Sequence, residues 1–258
     1  MNRHHRQVPS TPKRVFYALS LLLLSIGHAQ AENCRVAVAA NFTSTLQQLK
    51  TVFETSSEHS LTLISGSTGK LFAQIENGAP FDVFLAADRQ RPEALIASGK
   101  AVANTNVNYA LGQLVYWQPD SAQALDTQPP IATVRSIAIA NPRTAPYGQA
   151  ALSALVKLGF EGASPTKLVY GNNINQSYQY IASHNVEAGF IALSQLREIK
   201  EAQRGYWWLV PSALHPAIEQ QAVLLKNGQS NKAAVAFLNF LGSAKATAMI
   251  RQMGYSTP

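Results

Sequence analysis

Leu61-Thr-Leu-Ile-Ser-Gly-Ser-Thr-Gly-Lys-Leu-Phe-Ala-Gln-Ile75 joins an apolar run to a helical pattern through small hydroxyl residues and glycines. A strand that ends this way and turns directly into a helix presents unpaired backbone N–H groups and the positive end of the helix dipole at one spot. Such a spot suits an anion.

The pattern extends in both directions from this junction. Arg35–Ala40 reads as a buried strand, and Phe42, Leu46, Leu49 and Phe53 repeat at the spacing of one helix face over 42–56. Leu61–Ile64 is the second strand and Gly69–Glu76 the second helix. Asn77-Gly-Ala-Pro80 is a stop, Phe81–Ala87 a third strand, and Pro92–Ser98 a short helix closed by Gly99. Tyr109–Trp117 reads as one longer extended run.

A second alternating unit follows: strand 136–140, helix 148–158, strand 168–170, helix 176–183 and strand 188–192. Tyr206–Val210 and Gln220–Leu225 are further extended runs, and 232–253 is helical with an interruption near Gly242. Two α/β units of about a hundred residues match the usual size of a domain.

The first residues belong to a different kind of segment. Arg3, Arg6, Lys13 and Arg14 precede an apolar core over 15–27, and Ala29-Gln-Ala31 supplies small residues for cleavage. The expectation is a secretory signal peptide over 1–31 and export to the periplasm. Its removal takes four of the 21 basic residues and none of the 14 acidic ones, so the formal charge falls from +7 to +3. No basic run or aromatic stripe remains, which argues against nucleic-acid binding. The single cysteine, Cys34, excludes an internal disulfide and is expected as a free thiol near the start of the first strand.

The strand-to-helix grammar recurs at Ala40-Asn-Phe-Thr43, Ser67-Thr-Gly69, Asn141-Pro-Arg-Thr-Ala-Pro-Tyr-Gly148 and Asn172-Asn-Ile174. Singly, each is an ordinary helix cap, with Asn41 suited to cap its own helix. Together they place helix N-termini at carboxyl ends of strands in two matching units, where open α/β sheets bind ligands.

Gly69-Lys70 invites comparison with a phosphate loop, but that motif needs a glycine where Ile64 stands and a hydroxyl residue where Leu71 stands. Lys70 is expected to be a solvated first-turn residue. No Gly-x-Ser-x-Gly or His-Glu-x-x-His motif occurs, and His59, His184 and His215 are scattered. Asp88 is expected to brace a loop, and Tyr206-Trp-Trp208 to pack in a core rather than stack a sugar.

Val36-Ala-Val-Ala-Ala-Asn41, Gly66-Ser-Thr-Gly-Lys-Leu71, Gln74-Ile-Glu-Asn-Gly-Ala-Pro-Phe-Asp82 and Ala86-Ala-Asp88 occur in order, followed by Ala138-Ile-Ala-Asn-Pro142, Ala145-Pro-Tyr-Gly148 and Gly189-Phe-Ile-Ala192. In these segments the chain resembles the periplasmic molybdate-binding proteins of ABC importers. The resemblance implies an α/β, two-lobed periplasmic-binding-protein fold of type II. Each lobe would be a helix-flanked mixed sheet, with the ligand held between lobes that close about a hinge. The first lobe is expected over 32–112 and 215–258, the second over 113–214.

The resemblance also implies the contacts. Asn41 would touch the oxyanion through side chain and backbone, and Thr68 through its hydroxyl, with Ser67 as a further donor. Tyr147 and Ile174 would give backbone N–H groups. Some members add a tyrosine hydroxyl where this chain has Ala192. The expected partners are a small oxyanion, molybdate and also tungstate, and an ABC permease with its ATPase. No cofactor, no catalysis and a monomer are expected, without direct protein–metal ligands.

Loop tips free of Asp and Glu agree with an anion that carries no proton, since neutral donors then suffice. Sulfate or another oxyanion is the first alternative. An exported α/β hydrolase using Ser67, Asp88 and a histidine is the second.

Overall fold

β1 (Asn33–Ala39) alternates buried and exposed residues at its start and is wholly buried from Val36 onward, as a strand must be when helices cover both of its faces. In the computed structural model, which describes Met1, 31–121, 128–160 and 166–257, it lies between two parallel neighbours. These are β2 (Ser60–Gly66) and β3 (Val83–Ala86). Apart from Met1 and Ala31, the expected signal peptide lies outside the described residues.

β10 (Ile218–Leu224) returns from far along the chain and pairs antiparallel with β3 and with β4 (Val107–Gly112). The first sheet therefore has the order β2-β1-β3-β10-β4. The second sheet contains β5 (Leu114–Gln118), β6 (Ser136–Ala140), β7 (Lys167–Gly171), β8 (Ala188–Ala192) and β9 (Tyr206–Leu209). Its order is β7-β6-β8-β5-β9, with β6 parallel to β7 and β8 and with β5 antiparallel to β8 and β9.

Both sheets are covered on two faces. Val36 and Val38 of β1 point to one side, where Leu46, Leu49 and Phe53 of α1 (Thr43–Ser56) join Phe237 of α7 (Lys232–Leu241) and Ile250 of α8 (Ala244–Gln252). Ala37 points to the other side, against Leu71 and Ile75 of α2 (Thr68–Glu76) and Leu95 of α3 (Gln90–Ala97). Each such fully buried apolar side chain contributes about 1.5–3 kcal/mol of burial.

In the second sheet, Ile137 and Ile139 pack on α4 (Pro146–Lys157). Ala138 and Val115 pack with Ile181 of α5 (Ile174–Ala182) and Leu196 of α6 (Leu193–Glu198). Cys34 is a free, buried thiol in β1. Desolvation, and then the charge of Asp82, push its pKa far up, so it stays protonated.

Three expectations change. The run over Tyr109–Trp117 is two strands in different sheets, broken at Gln113. The chain crosses between the sheets there, past Gly112, where a Cβ would collide with the Tyr147 hydroxyl and crowd Gln220. The helix over Leu193–Glu198 was not expected at all. The helix after β1 is preceded by a 3-10 turn over Ala40–Phe42. The break at Gly242 appears as expected, with a 62° bend between α7 and α8. Tyr206 and Trp208 are core residues.

Candidate functional site

At the end of β1 the chain enters the 3-10 turn, and Asn41 sits inside that turn rather than capping α1, whose flanking residue is Phe42. The Asn41 side chain is buried and turns back into the protein. Its amide nitrogen donates to Gln220 Oε1 at 2.8 Å and to the Tyr255 hydroxyl at 3.3 Å. A buried amide requires such partners, and both amide protons are committed within the protein.

At the end of β2, Ser67 is extended and precedes the first residue of α2. Its Oγ is buried and has no hydrogen-bond partner. Thr68 begins the helix, and its Oγ1 accepts from the Ala87 N–H at 3.1 Å. The two neighbouring hydroxyls therefore differ. Thr68 is an acceptor within the fold, whereas the Ser67 hydroxyl has no partner there.

In the second lobe, Asn141 builds a turn in which its carbonyl accepts from Thr144 and Ala145 N–H at 3.1 and 2.9 Å. Pro146 then occupies the first position of α4, where its missing N–H costs nothing. Gly148 lets the helix start directly against the end of β6, since a Cβ would collide with the Ala140 carbonyl. The Tyr147 hydroxyl is buried beside Gln113 and Gln220. Burial above all, then nearby Tyr255 and Tyr109, push its pKa well above the ordinary value, so it stays neutral.

At the fourth junction Asn173 caps α5, its side chain accepting from the Gln176 N–H at 3.1 Å. The Gln176 side chain accepts in turn from Asn172 N–H at 2.6 Å. Ile174 is the first helical residue.

All four junctions meet around one small cavity, lined by Ala39, Ala40, Asn41, Ser67, Thr68, Ala87, Ala145, Pro146, Tyr147, Asn173 and Ile174. The four alanines leave the backbone open to approach. No Asp, Glu, Lys, Arg or His lines this space. The first-turn N–H groups and helix dipoles therefore dominate its electrostatics. The arrangement can hold a small anion through neutral donors.

The rim closes across the two lobes. Gly69 N–H donates to the Thr144 carbonyl at 2.8 Å, and Lys70 Nζ donates to Asn172 Oδ1 at 3.0 Å. Lys70 thus bridges the cleft at its exposed edge. Asp88 accepts from the Arg91 N–H at 3.0 Å and pairs with its guanidinium, bracing the loop as expected. Ala192 is buried in the core of the second sheet, and its N–H donates to Gln195 Oε1 at 3.0 Å.

The hydrolase alternative has no support at the atoms it would need. Ser67 Oγ has no partner, and the partner of Thr68 Oγ1 is a backbone N–H. The ring nitrogens of His59, His184 and His215 pair with Glu32 N–H, Asp120 and the Pro216 carbonyl. Among the described residues no group of three or more His, Cys, Asp or Glu could hold a metal ion. Sequence reasoning missed Gln220, Tyr255 and Ser194 behind the cavity. The pair Gln220-Gln221 directly before the apolar run Ala222–Leu225 was the available signal.

A cavity of this design, at the strand ends of two helix-flanked sheets, defines a solute-binding protein. The chain belongs to the bacterial extracellular solute-binding protein family, whose model matches residues 34–256. It is 41% identical to the molybdate-binding protein ModA of Azotobacter vinelandii, over 93% of this chain and 98% of that one. It is 39% identical to ModA of Rhodobacter capsulatus, over 97% and 99% of the two chains. The solved periplasmic molybdate-binding protein of Azotobacter vinelandii superposes with a TM-score of 0.80 at 35% identity, covering 87% of this chain and 99% of that one. The two-lobed periplasmic-binding-protein fold expected from the sequence is the fold observed.

Proposed function

We propose that this protein captures molybdate, and tungstate with it, in the periplasm and delivers the anion to an ABC permease driven by its ATPase. The anion is cargo rather than cofactor, and the protein acts as a binding protein, not an enzyme. The lobes run over 32–112 with 215–258 and over 113–214, and they close about the crossings between the two sheets.

One observation carries this reading: four helix starts surround a single cavity without an ionic side chain, and the Ser67 hydroxyl there lacks any partner. Asn41, Tyr147 and Ile174 would donate backbone N–H groups, and Ser67 and Thr68 would add hydroxyl donors. All would reach the oxygens of the anion and none its metal. A dianion without protons needs only donors, whereas a site selective for monohydrogen phosphate favours a carboxylate to accept its proton, and none lines this cavity. The relatives named for molybdate support the choice among dianions.

Calorimetric titration of the chain lacking residues 1–31 with molybdate, tungstate, sulfate and phosphate tests the assignment. Molybdate and tungstate should bind tightly and phosphate should not. Sulfate binding as tightly as molybdate would replace the ligand assignment with a general dianion site.

A further inference from the structure

Behind the cavity, where the chain crosses between the sheets, lies a buried polar cluster that capture of the anion does not use directly. Tyr255 follows α8 at Gly254, whose φ is 95°. Its hydroxyl donates to the Asn41 carbonyl at 2.7 Å, accepts from the Asn41 amide at 3.3 Å and lies 3.0 Å from Ser194 Oγ. With the single tyrosine proton on the Asn41 carbonyl, Ser194 is the donor in the third bond. Asn41 follows β1 and Tyr255 packs in the core of the first sheet, whereas Ser194 lies in the first turn of α6, on the second.

The segment carrying Tyr255 is itself tied to both sides of the crossing. Leu111 and Ser256 exchange backbone hydrogen bonds at 2.7 and 3.1 Å. Gln113 Nε2 donates to Ser256 Oγ at 2.9 Å, and Arg197 donates to the Gln252 carbonyl at 2.9 Å. In a helical turn the carbonyls point one way and the N–H groups the other. A grip on the Asn41 carbonyl from behind therefore keeps the N–H end of the Ala40–Phe42 turn on the cavity.

Resting on the oxyanion reading of this cavity, we infer that Tyr255 is a positioning residue for capture. Its hydroxyl holds the Asn41 turn in register with Ser194 of the opposite lobe, so the donors of that turn face the anion when the lobes are together. The tyrosine ring packs against Phe42 with centroids 5.3 Å apart, a contact that phenylalanine retains, so removal of the hydroxyl separates positioning from packing.

The test uses Tyr255→Phe in the chain lacking residues 1–31. Molybdate affinity should fall by about three- to tenfold, mainly through faster dissociation. Amide hydrogen exchange over residues 39–42 in the ligand-free protein should accelerate. Ser194→Ala should weaken binding in the same direction, and the double variant should lose less than the two single losses combined. A lower thermal midpoint with unchanged affinity and unchanged exchange would reduce Tyr255 to a packing residue and overturn the inference. If the unsubstituted protein binds none of the anions, the oxyanion reading fails, and the ligand-free exchange measurement still decides whether Tyr255 holds the turn.

Discussion

The Gly69 N–H donates to the Thr144 carbonyl at 2.8 Å across the cleft, so the first turn of α2 is fastened to the opposite lobe beside the cavity. A Cβ at Gly69 would stand 3.0 Å from both the Thr144 Cα and its carbonyl oxygen. Gly69→Ala should therefore wedge the rim and weaken closure by about 1–3 kcal/mol, the usual cost of overpacking. The expected result is faster molybdate dissociation in ligand-exchange kinetics with little change in the unfolding midpoint of the free protein.

Ser67 and Thr68 should separate stability from binding. Ser67→Ala removes a hydroxyl that has no partner in the fold, so the free protein should be as stable as before or slightly more so. Its oxyanion affinity should fall by about 1.5–3 kcal/mol, as for a hydrogen bond to a charged group. Thr68→Ala should also weaken binding, by about 1–3 kcal/mol. It removes the acceptor of the Ala87 N–H as well, so the free protein should lose about 1 kcal/mol. Paired calorimetry and urea denaturation of both variants check this contrast.

Binding itself should be nearly independent of pH between about 6 and 9. The only titratable side chain in the lining is Tyr147, and burial holds its pKa well above the ordinary tyrosine value. A molybdate affinity that changed more than about threefold over that range would point to an ionisable contact.

Alkaline pH should act on stability instead. Burial, the largest influence, raises Tyr109 and Tyr147 well above the ordinary value and pushes Tyr255 up to about 12. The folded state thus holds these protons more tightly than the unfolded chain, whose tyrosines titrate near about 10. Their contribution is complete below about pH 10 and is lost as pH rises through and beyond the folded values. Urea midpoints should be flat to about pH 8, fall first as the unfolded Cys34 thiol ionises above about 8.5, and drop more steeply once the unfolded tyrosines follow near about 10. Tyrosinate absorbance from these groups should appear only with unfolding.

Much of this was legible in short-range pattern. Leu46, Leu49 and Phe53 announce the buried face of α1, and the strand-to-helix junctions announce the helix starts that meet at the cavity. What escaped depends on distant partners. The orientation of the Asn41 amide is set by Gln220 and Tyr255, 179 and 214 residues away. The bridge from Lys70 to Asn172 spans 102 residues. The break at Gln113 carries no turn signal beyond Gly112. α6 was hidden because Phe190-Ile-Ala-Leu193 runs without a polar stop from strand into helix.

The placement of β10 has a consequence for the order of assembly. The second sheet is drawn from one uninterrupted stretch, 114–209, whereas the first needs β10 seated between β3 and β4. Completing the first sheet therefore requires closure of a loop that contains the whole second lobe, and pairings so distant in the chain form slowly. The second lobe should acquire protected amides first in pulse-labelling hydrogen exchange during refolding, with β3, β10 and β4 following together. The captor of the anion would thus come into being only at the last step, when Gln220 arrives behind Asn41.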